Sequence, residues 1–205
     1  MPKTWLKQHR RDYYYKKAKE EQYRSRAAYK LLQAINKHQF MKPSDVVVDL
    51  GAAPGGWLQV SSRVVGEEGV VLGVDIKEIE PLPESNVCTI LGDVIDEEIV
   101  NQIQAILPRP ADVVISDVSP NLSGVWELDH ARQIDLARRS LQIALVVLRQ
   151  GGNFFVKIFQ GDMLEDFVAE IKNHFTRVEI VKPPASRAKS AEMYVLGVGL
   201  KKQPI

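Results

Sequence analysis

The 205-residue chain has a single cysteine, Cys88, and only four histidines, His9, His38, His130 and His174, scattered without metal-ligand spacing. One thiol excludes an internal disulfide and fits a reducing compartment, so a cytoplasmic setting is expected. Isolated histidines supply neither a structural zinc site nor His-based nucleophilic machinery, and no metal is expected. No apolar run approaches membrane-spanning length, and Met1-Pro2-Lys3-Thr4-Trp5-Leu6-Lys7 lacks the apolar core of a signal peptide, so no membrane partner is expected. The dinucleotide pattern G-x-G-x-x-G is missing, and so is the G-K-[ST] of a triphosphate-binding loop. Internal repeats, low-complexity tracts and linkers are missing too, and the length suits one domain over residues 1–205.

What is present is the loop Asp49-Leu50-Gly51-Ala52-Ala53-Pro54-Gly55-Gly56-Trp57, directly after the apolar run Val46-Val47-Val48. A buried strand that ends in a glycine-rich turn and opens a helix lets the backbone approach a ligand closely, with unpaired helix N–H groups facing it. Gly51 and Gly55 stand four apart with Pro54 between them, which suits a nucleoside without a phosphate chain. S-adenosylmethionine is the leading candidate. A plain turn between strand and helix would not call for so many small residues.

The overall charge of +1 hides an asymmetry: residues 1–30 carry a balance of +7 and the remaining 175 a balance of −6. Aromatics are interleaved with the basic residues in Arg10-Arg11-Asp12-Tyr13-Tyr14-Tyr15-Lys16-Lys17 and again in Tyr23-Arg24-Ser25-Arg26. Phosphates attract the cations and tyrosine faces stack on unpaired bases, so residues 1–30 read as an RNA-contacting arm that leads into a helix. Arg10, Arg11, Tyr13, Lys16, Arg24 and Arg26 are its candidate contacts.

Further along, strand-like and helix-like segments alternate. Helices are expected at 24–39, 56–65, 96–107, 129–149 and 162–174, the fourth ending at Gly151-Gly152. Strands are expected at 46–50, 70–75, 87–91, 112–117, 153–159, 176–182 and 192–201. The connection between the last two contains Pro183-Pro184 and is too short for a crossover helix, so that pair should be antiparallel. The result is an α/β fold: one doubly wound, mostly parallel seven-stranded sheet with an antiparallel last strand and helices on both faces.

In such a sheet, function lies at the carboxyl ends of the parallel strands. Asp75 ends the second strand, where a carboxylate can accept from ribose hydroxyls. Asp93 follows the third and can accept from an adenine amino group, and Asp117 ends the fourth. Lys157 interrupts the apolar strand Asn153–Phe159, where its amine needs partners. Glu192 opens the last strand. If that strand runs antiparallel, Asp117, Lys157 and Glu192 converge beside the cofactor, with Lys30 above them on the basic helix.

These residues match a known pattern. Over essentially its whole length the chain resembles the RrmJ/FtsJ ribose 2′-O-methyltransferases, most specifically in Ser25-Arg26-Ala27-Ala28-Tyr29-Lys30-Leu31, Asp49 through Trp57, Ser116-Asp117 with Pro120-Asn121, Val156-Lys157 and the region of Glu192. The resemblance implies a Rossmann-like methyltransferase fold and a catalytic tetrad at Lys30, Asp117, Lys157 and Glu192. It also implies S-adenosylmethionine contacts at Gly55, Trp57, Asp75, Asp93 and Asp117, with Gly51 in the same loop. Lys157 is then the group that accepts or steers the hydroxyl proton, Asp117 orients it, and Lys30 and Glu192 position the ribose. Ribosomal RNA of the large subunit, at a uridine, is the implied substrate; another branch of the family acts on the tRNA anticodon loop. The extra C-terminal RNA-binding domain of some archaeal members is not expected in these 205 residues, and a monomer is the default. Two other classes stay open: a non-catalytic RNA-binding assembly factor on the same fold, and a nicotinamide-dependent oxidoreductase, which lacks its glycine motif here.

Overall fold

The computed structural model describes residues 13–187 and 190–202; Arg10 and Arg11 of the expected arm lie outside them. Seven strands form one sheet: β1 (Val46–Leu50), β2 (Val70–Asp75), β3 (Val87–Leu91), β4 (Ala111–Ser116), β5 (Leu148–Phe159), β6 (Phe175–Val181) and β7 (Glu192–Leu200). Their spatial order is β3-β2-β1-β4-β5-β7-β6. The first five are parallel, and β7 enters between β5 and β6 antiparallel to both. Among the described residues six helices surround the sheet: α1 (Tyr13–Glu20), α2 (Ala28–His38), α3 (Gly56–Val65), α4 (Ile99–Ile106), α5 (Trp126–Val147) and α6 (Leu164–His174).

The apolar runs become the central strands because both faces of the sheet are covered. On one face Val46, Val48, Leu50, Val114 and Phe154 pack with Ile134, Leu141, Phe167 and Ile171 from α5 and α6. On the other, Val47, Val113, Ile115 and Phe155 meet Leu31 and Ile35 of α2 and Trp57 and Leu58 of α3. The period-two alternation along β1 and β4 therefore divides their side chains between two cores. No helix among the described residues is long and apolar enough to cross a membrane.

Two local expectations are corrected. Gly151-Gly152 does not end the long helix. That helix closes at Val147, and β5 begins at once with Leu148, so the glycines lie inside the strand, where its register against β4 shifts between Ala111 and Val113. Gly151 has φ +78°, and a Cβ on Gly152 would stand 3.0 Å from the carbonyl oxygens of Arg149 and Asp112, so the kinked strand needs residues without side chains here. The basic arm is also partly folded. Residues 13–20 form α1, and Tyr14 and Ala18 pack against Tyr29 of α2 beside Ala185.

At the edge of the sheet opposite the site, Asp112 joins three segments. Its carboxylate accepts from the Val46 amide (2.7 Å), Arg149 Nε (2.6 Å) and Arg109 Nη1 (2.7 Å). Burial opposes ionisation, but the Val46 amide and the two guanidinium groups outweigh it and hold Asp112 below the ordinary carboxylate range. Asp112→Ala should cost about 2 kcal/mol at pH 7, since it orphans a buried amide and removes two charged hydrogen bonds. A carboxylate with a lowered folded pKa stabilises only while ionised. Urea denaturation across a pH series should therefore show the gap between wild type and variant closing as pH falls from about 4 through the lower folded value.

Candidate functional site

The carboxyl ends of β1 to β4 surround a cleft of about 340 Å³ whose lining includes Gly51, Ala53, Asp75, Asp93 and Asp117. The glycine loop bounds it from above. Gly51 has φ +80° and its amide donates to Val74 O at 2.8 Å; a Cβ there would stand 2.8 Å from the Val118 amide nitrogen. Gly55, at φ +105°, turns the loop into α3. The loop is held open by Asp75, whose two carboxylate oxygens accept from the Ala53 amide (2.9 Å) and the Lys77 amide (2.8 Å). Each oxygen keeps capacity for a further donor such as a ribose hydroxyl. Asp93 accepts from the Ile95 amide at 3.0 Å, an Asx turn that fixes its carboxylate at the far end of the cleft.

From below, the loop rests on the segment before α2. Arg24 donates from its guanidinium to Pro54 O (3.2 Å), Glu80 O (2.6 Å) and Pro81 O (2.7 Å), tying the glycine loop to the irregular connection after β2. Trp57 Nε1 donates to Ala27 O at 2.8 Å, and the indole is buried near Phe155 and Tyr194. Trp57 thus braces the loop from inside instead of facing the cleft, as Arg24 does from outside. Arg26 reaches Ala185 O. Burial and the Arg187 cation lower its pKa, with Glu192 opposing them. Of the expected RNA contacts, Arg24 and Arg26 therefore serve the protein itself, whereas Tyr13 and Lys16 are exposed on α1.

Beside the cleft stand the four residues expected to form a tetrad. Lys157 is 5% exposed, and its Nζ donates to Asp117 O at 2.6 Å and lies 3.3 Å from Asp117 Oδ1. Lys30 Nζ pairs with Glu192 Oε1 at 2.5 Å. The sheet explains this meeting. β5 pairs with β7 in the register Lys157↔Tyr194 and Phe159↔Glu192, and Ser116 pairs with Val156 across β4 and β5. Asp117 and Glu192 thus arrive at the same edge from opposite chain directions.

Between the two ion pairs lies a residue absent from the sequence-based expectations. Tyr194 is fully buried and stacked on Phe155 with centroids 4.7 Å apart and planes 7° apart. Its hydroxyl is 3.0 Å from Asp117 Oδ1 and 3.3 Å from Glu192 Oε1. Burial, then the Asp117 and Glu192 charges, push this phenol well above its usual range, so it stays protonated and can donate to either carboxylate. A signal for it existed: two residues after Glu192 in a strand, it shares that residue's face. Gln133, which donates to Val118 O and Lys157 O, and Ser186, 3.3 Å from Glu192 Oε1, were not foreseeable, because helix and loop reach the site only through the fold.

Asp49 lies beneath the loop with no exposed surface, and among the described residues neither carboxyl oxygen has a hydrogen-bond partner. Burial, then the charges of Asp117 and Asp75, raise its pKa well above the ordinary value. The folded protein holds this proton after the unfolded chain has lost it, so wild-type stability declines as pH rises above about 3.9 towards the folded value. Asp49→Asn has no such penalty. Its gain in melting temperature over the ligand-free wild type should grow from pH 5 to pH 8 by scanning calorimetry.

The donor set fits S-adenosylmethionine: a glycine-shaped gap at Gly51 and carboxylates at three strand ends. The FtsJ-like methyltransferase family model matches residues 23–200. A protein of Methanocaldococcus jannaschii named ribosomal RNA large subunit methyltransferase E is 49% identical over 95% of this chain and 80% of its own length. One of the same name from Methanothrix thermoacetophila is 54% identical over 95% and 75%. Among solved structures, a ribosomal RNA methyltransferase of Plasmodium falciparum superposes with a TM-score of 0.79 at 27% identity, covering 88% of this chain and all of that one. An rRNA methylase of Clostridium thermocellum, with a TM-score of 0.58 at 18% identity over 83% of this chain and 97% of that one, shares the fold. The loop, the strand order and these likenesses agree: the chain belongs to the FtsJ-like methyltransferases, enzymes that take their methyl group from S-adenosylmethionine.

Proposed function

We propose that this protein methylates the 2′-oxygen of a ribose, at a uridine, in large-subunit ribosomal RNA, in the cytoplasm and as a monomer. The observation that carries the reading is Lys157: an amine 5% exposed in an apolar strand, held by Asp117 at the mouth of the cofactor cleft and flanked by the Lys30–Glu192 pair. The large-subunit assignment rests on the names of relatives about half identical to this chain.

S-adenosylmethionine supplies an electrophilic methyl group on a sulfonium. The protein's task is to aim an unreactive hydroxyl along the line of attack and manage its proton, so orientation and electrostatics should supply most of the acceleration. Lys157 Nζ donates to the Asp117 carbonyl and lies beside the Asp117 carboxylate, which leaves the far side of the nitrogen to face the 2′-hydroxyl: the lone pair of the neutral amine accepts the hydroxyl proton, or an N–H of the ammonium steers it. Asp117 orients the amine and Tyr194 holds the Asp117 carboxylate. Lys30 and Glu192, fixed on each other, position the ribose and balance the charge that develops. Gly51, Gly55, Asp75 and Asp93 hold the cofactor, with Trp57 supporting their loop.

Lys157→Ala should lower single-turnover methyl transfer at least about 100-fold, in keeping with the loss of a proton-handling group, while calorimetry gives an S-adenosylmethionine affinity within about twofold of wild type. Near-wild-type turnover would remove Lys157 from the chemistry.

The substrate is tested with tritium-labelled S-adenosylmethionine offered to tRNA, free ribosomal RNA and intact large subunits. Label should enter large-subunit RNA and survive alkaline digestion within a dinucleotide, because a methylated 2′-oxygen cannot attack the neighbouring phosphate. Label in tRNA would move the enzyme to the anticodon-loop branch, and no label after a single turnover would make it a binding factor.

The basic arm generates a separate expectation. Because α1 packs on α2, the clean truncation removes residues 1–12 and leaves Tyr14 and Ala18 in place. It should weaken RNA binding more at low salt than at high salt and leave cofactor affinity unchanged.

A further inference from the structure

A second cleft, of about 330 Å³, opens on the other side of the tetrad from the cofactor, and its lining includes Leu122, Trp126, Phe159, Ala191 and Glu192. The two clefts meet the tetrad through different members. Asp117 lines the first and Glu192 the second, and the Tyr194 hydroxyl lies between those carboxylates. A ribose resting on the tetrad therefore faces the methyl donor on one side and this second cleft on the other.

The second cleft is built around an aromatic face. Trp126 opens α5 and is 45% exposed, a costly position for an indole with no role. It is nevertheless held in place. Its ring is nearly parallel to His130 one turn on (centroids 5.9 Å, 16°) and to Phe159 (6.1 Å, 27°), the residue opposite Glu192 in the sheet. The loop before it is pinned by Asp129, which accepts from the Ser123 amide and hydroxyl, both at 2.7 Å, and from the Gly124 amide at 3.1 Å. Leu122 and Val125, 68% and 55% exposed, extend the apolar surface around it. Such a rigid, outward-facing aromatic surface beside a polar catalytic group suits a planar ligand with a sugar attached.

We infer that this cleft receives the nucleobase of the methyl-accepting nucleotide, turned out of its stack and laid against Trp126 while its ribose rests on Lys30, Lys157 and Glu192. The inference rests on the ribose-methylation reading above and adds a specificity-determining residue to it. A base inside a helix cannot bring its 2′-hydroxyl deep into a protein site, and unpaired bases are commonly taken up on aromatic faces. Loss of one such face weakens RNA binding on the order of tenfold. Trp126 follows Asp117 across the β4–α5 connection and is brought to Glu192 through Phe159, its ring neighbour and the residue opposite Glu192 in the β5–β7 register.

The test uses the full-length protein with Trp126→Ala and Trp126→Phe. Trp126→Ala should raise KM for the RNA substrate on the order of tenfold, leave S-adenosylmethionine affinity unchanged, and keep the wild-type melting temperature within a few degrees; Trp126→Phe should restore most of the RNA KM. In parallel, a short oligouridylate should quench tryptophan emission in Trp5→Phe, which keeps Trp57 and Trp126, but not in the double variant Trp5→Phe/Trp126→Phe, in which the buried Trp57 is the remaining indole. An unchanged RNA KM in Trp126→Ala, or quenching that persists in Trp5→Phe/Trp126→Phe, overturns the inference. So does a defect seen with intact large subunits but not with isolated ribosomal RNA, which would assign the cleft to a ribosomal protein. If the wild type methylates no ribose yet oligouridylate still quenches Trp126, the reaction assignment fails and the base-binding cleft stands.

Discussion

An amine buried inside an apolar sheet must be given acceptors, and the carboxyl edge of this sheet is organised around that requirement. Lys157 sits in β5 among side chains with almost no exposure, and its partner is the main chain and carboxylate of Asp117, the first residue after β4. That arrangement requires β4 and β5 to be parallel neighbours in the register that sets Ser116 beside Val156. It also requires something to hold the Asp117 carboxylate, which Tyr194 does from the antiparallel strand on the other side. The insertion of β7 between β5 and β6 is therefore more than an edge variation. A parallel strand in that place would start at the far edge of the sheet and carry its opening carboxylate away from the lysine.

The second organising contact is between the segment before α2 and the glycine loop. A loop of small residues gains a shape for its ligand but little packing of its own, so it needs external support. Arg24 ties the loop to the connection after β2, Ala27 accepts from the Trp57 indole, and a Cβ on Gly56 would collide with Ser25 Oγ. The helix that follows carries Lys30 to Glu192. One stretch of chain thus supports the donor's loop and supplies a charge to the acceptor's side, which couples the two halves of the site mechanically.

How much of this was legible can be judged residue by residue. The all-apolar runs at Val46–Val48, Val70–Leu72 and Val113–Ile115 identified central strands because a strand covered on both faces has no polar side. The charge and tyrosine content of residues 13–26 was legible as unusual but not as partly internal. Composition does not distinguish an arginine facing solvent from one whose donors are spent on carbonyls brought from 30 and 57 residues away. Gly151-Gly152 misled because a glycine pair after a helix-like run fits a helix end as well as a kink at the start of a strand. The register shift that decides between them exists only once β4 is alongside.

The sequence alone determined the alternation of elements, a glycine loop that lacks both phosphate-binding patterns, and the one lysine out of place in an apolar strand. Each of these follows from local pattern and from the cost of burying charge, which acts wherever the residue ends up. Only the tertiary structure decided that Tyr194 lies between two carboxylates, that Arg24 and Trp57 brace the loop, and that Trp126 stands next to Glu192. These are contacts between segments far apart in the chain. They are set by strand order and register, which depend on the packing of the whole sheet and leave no mark in the spacing of neighbouring residues.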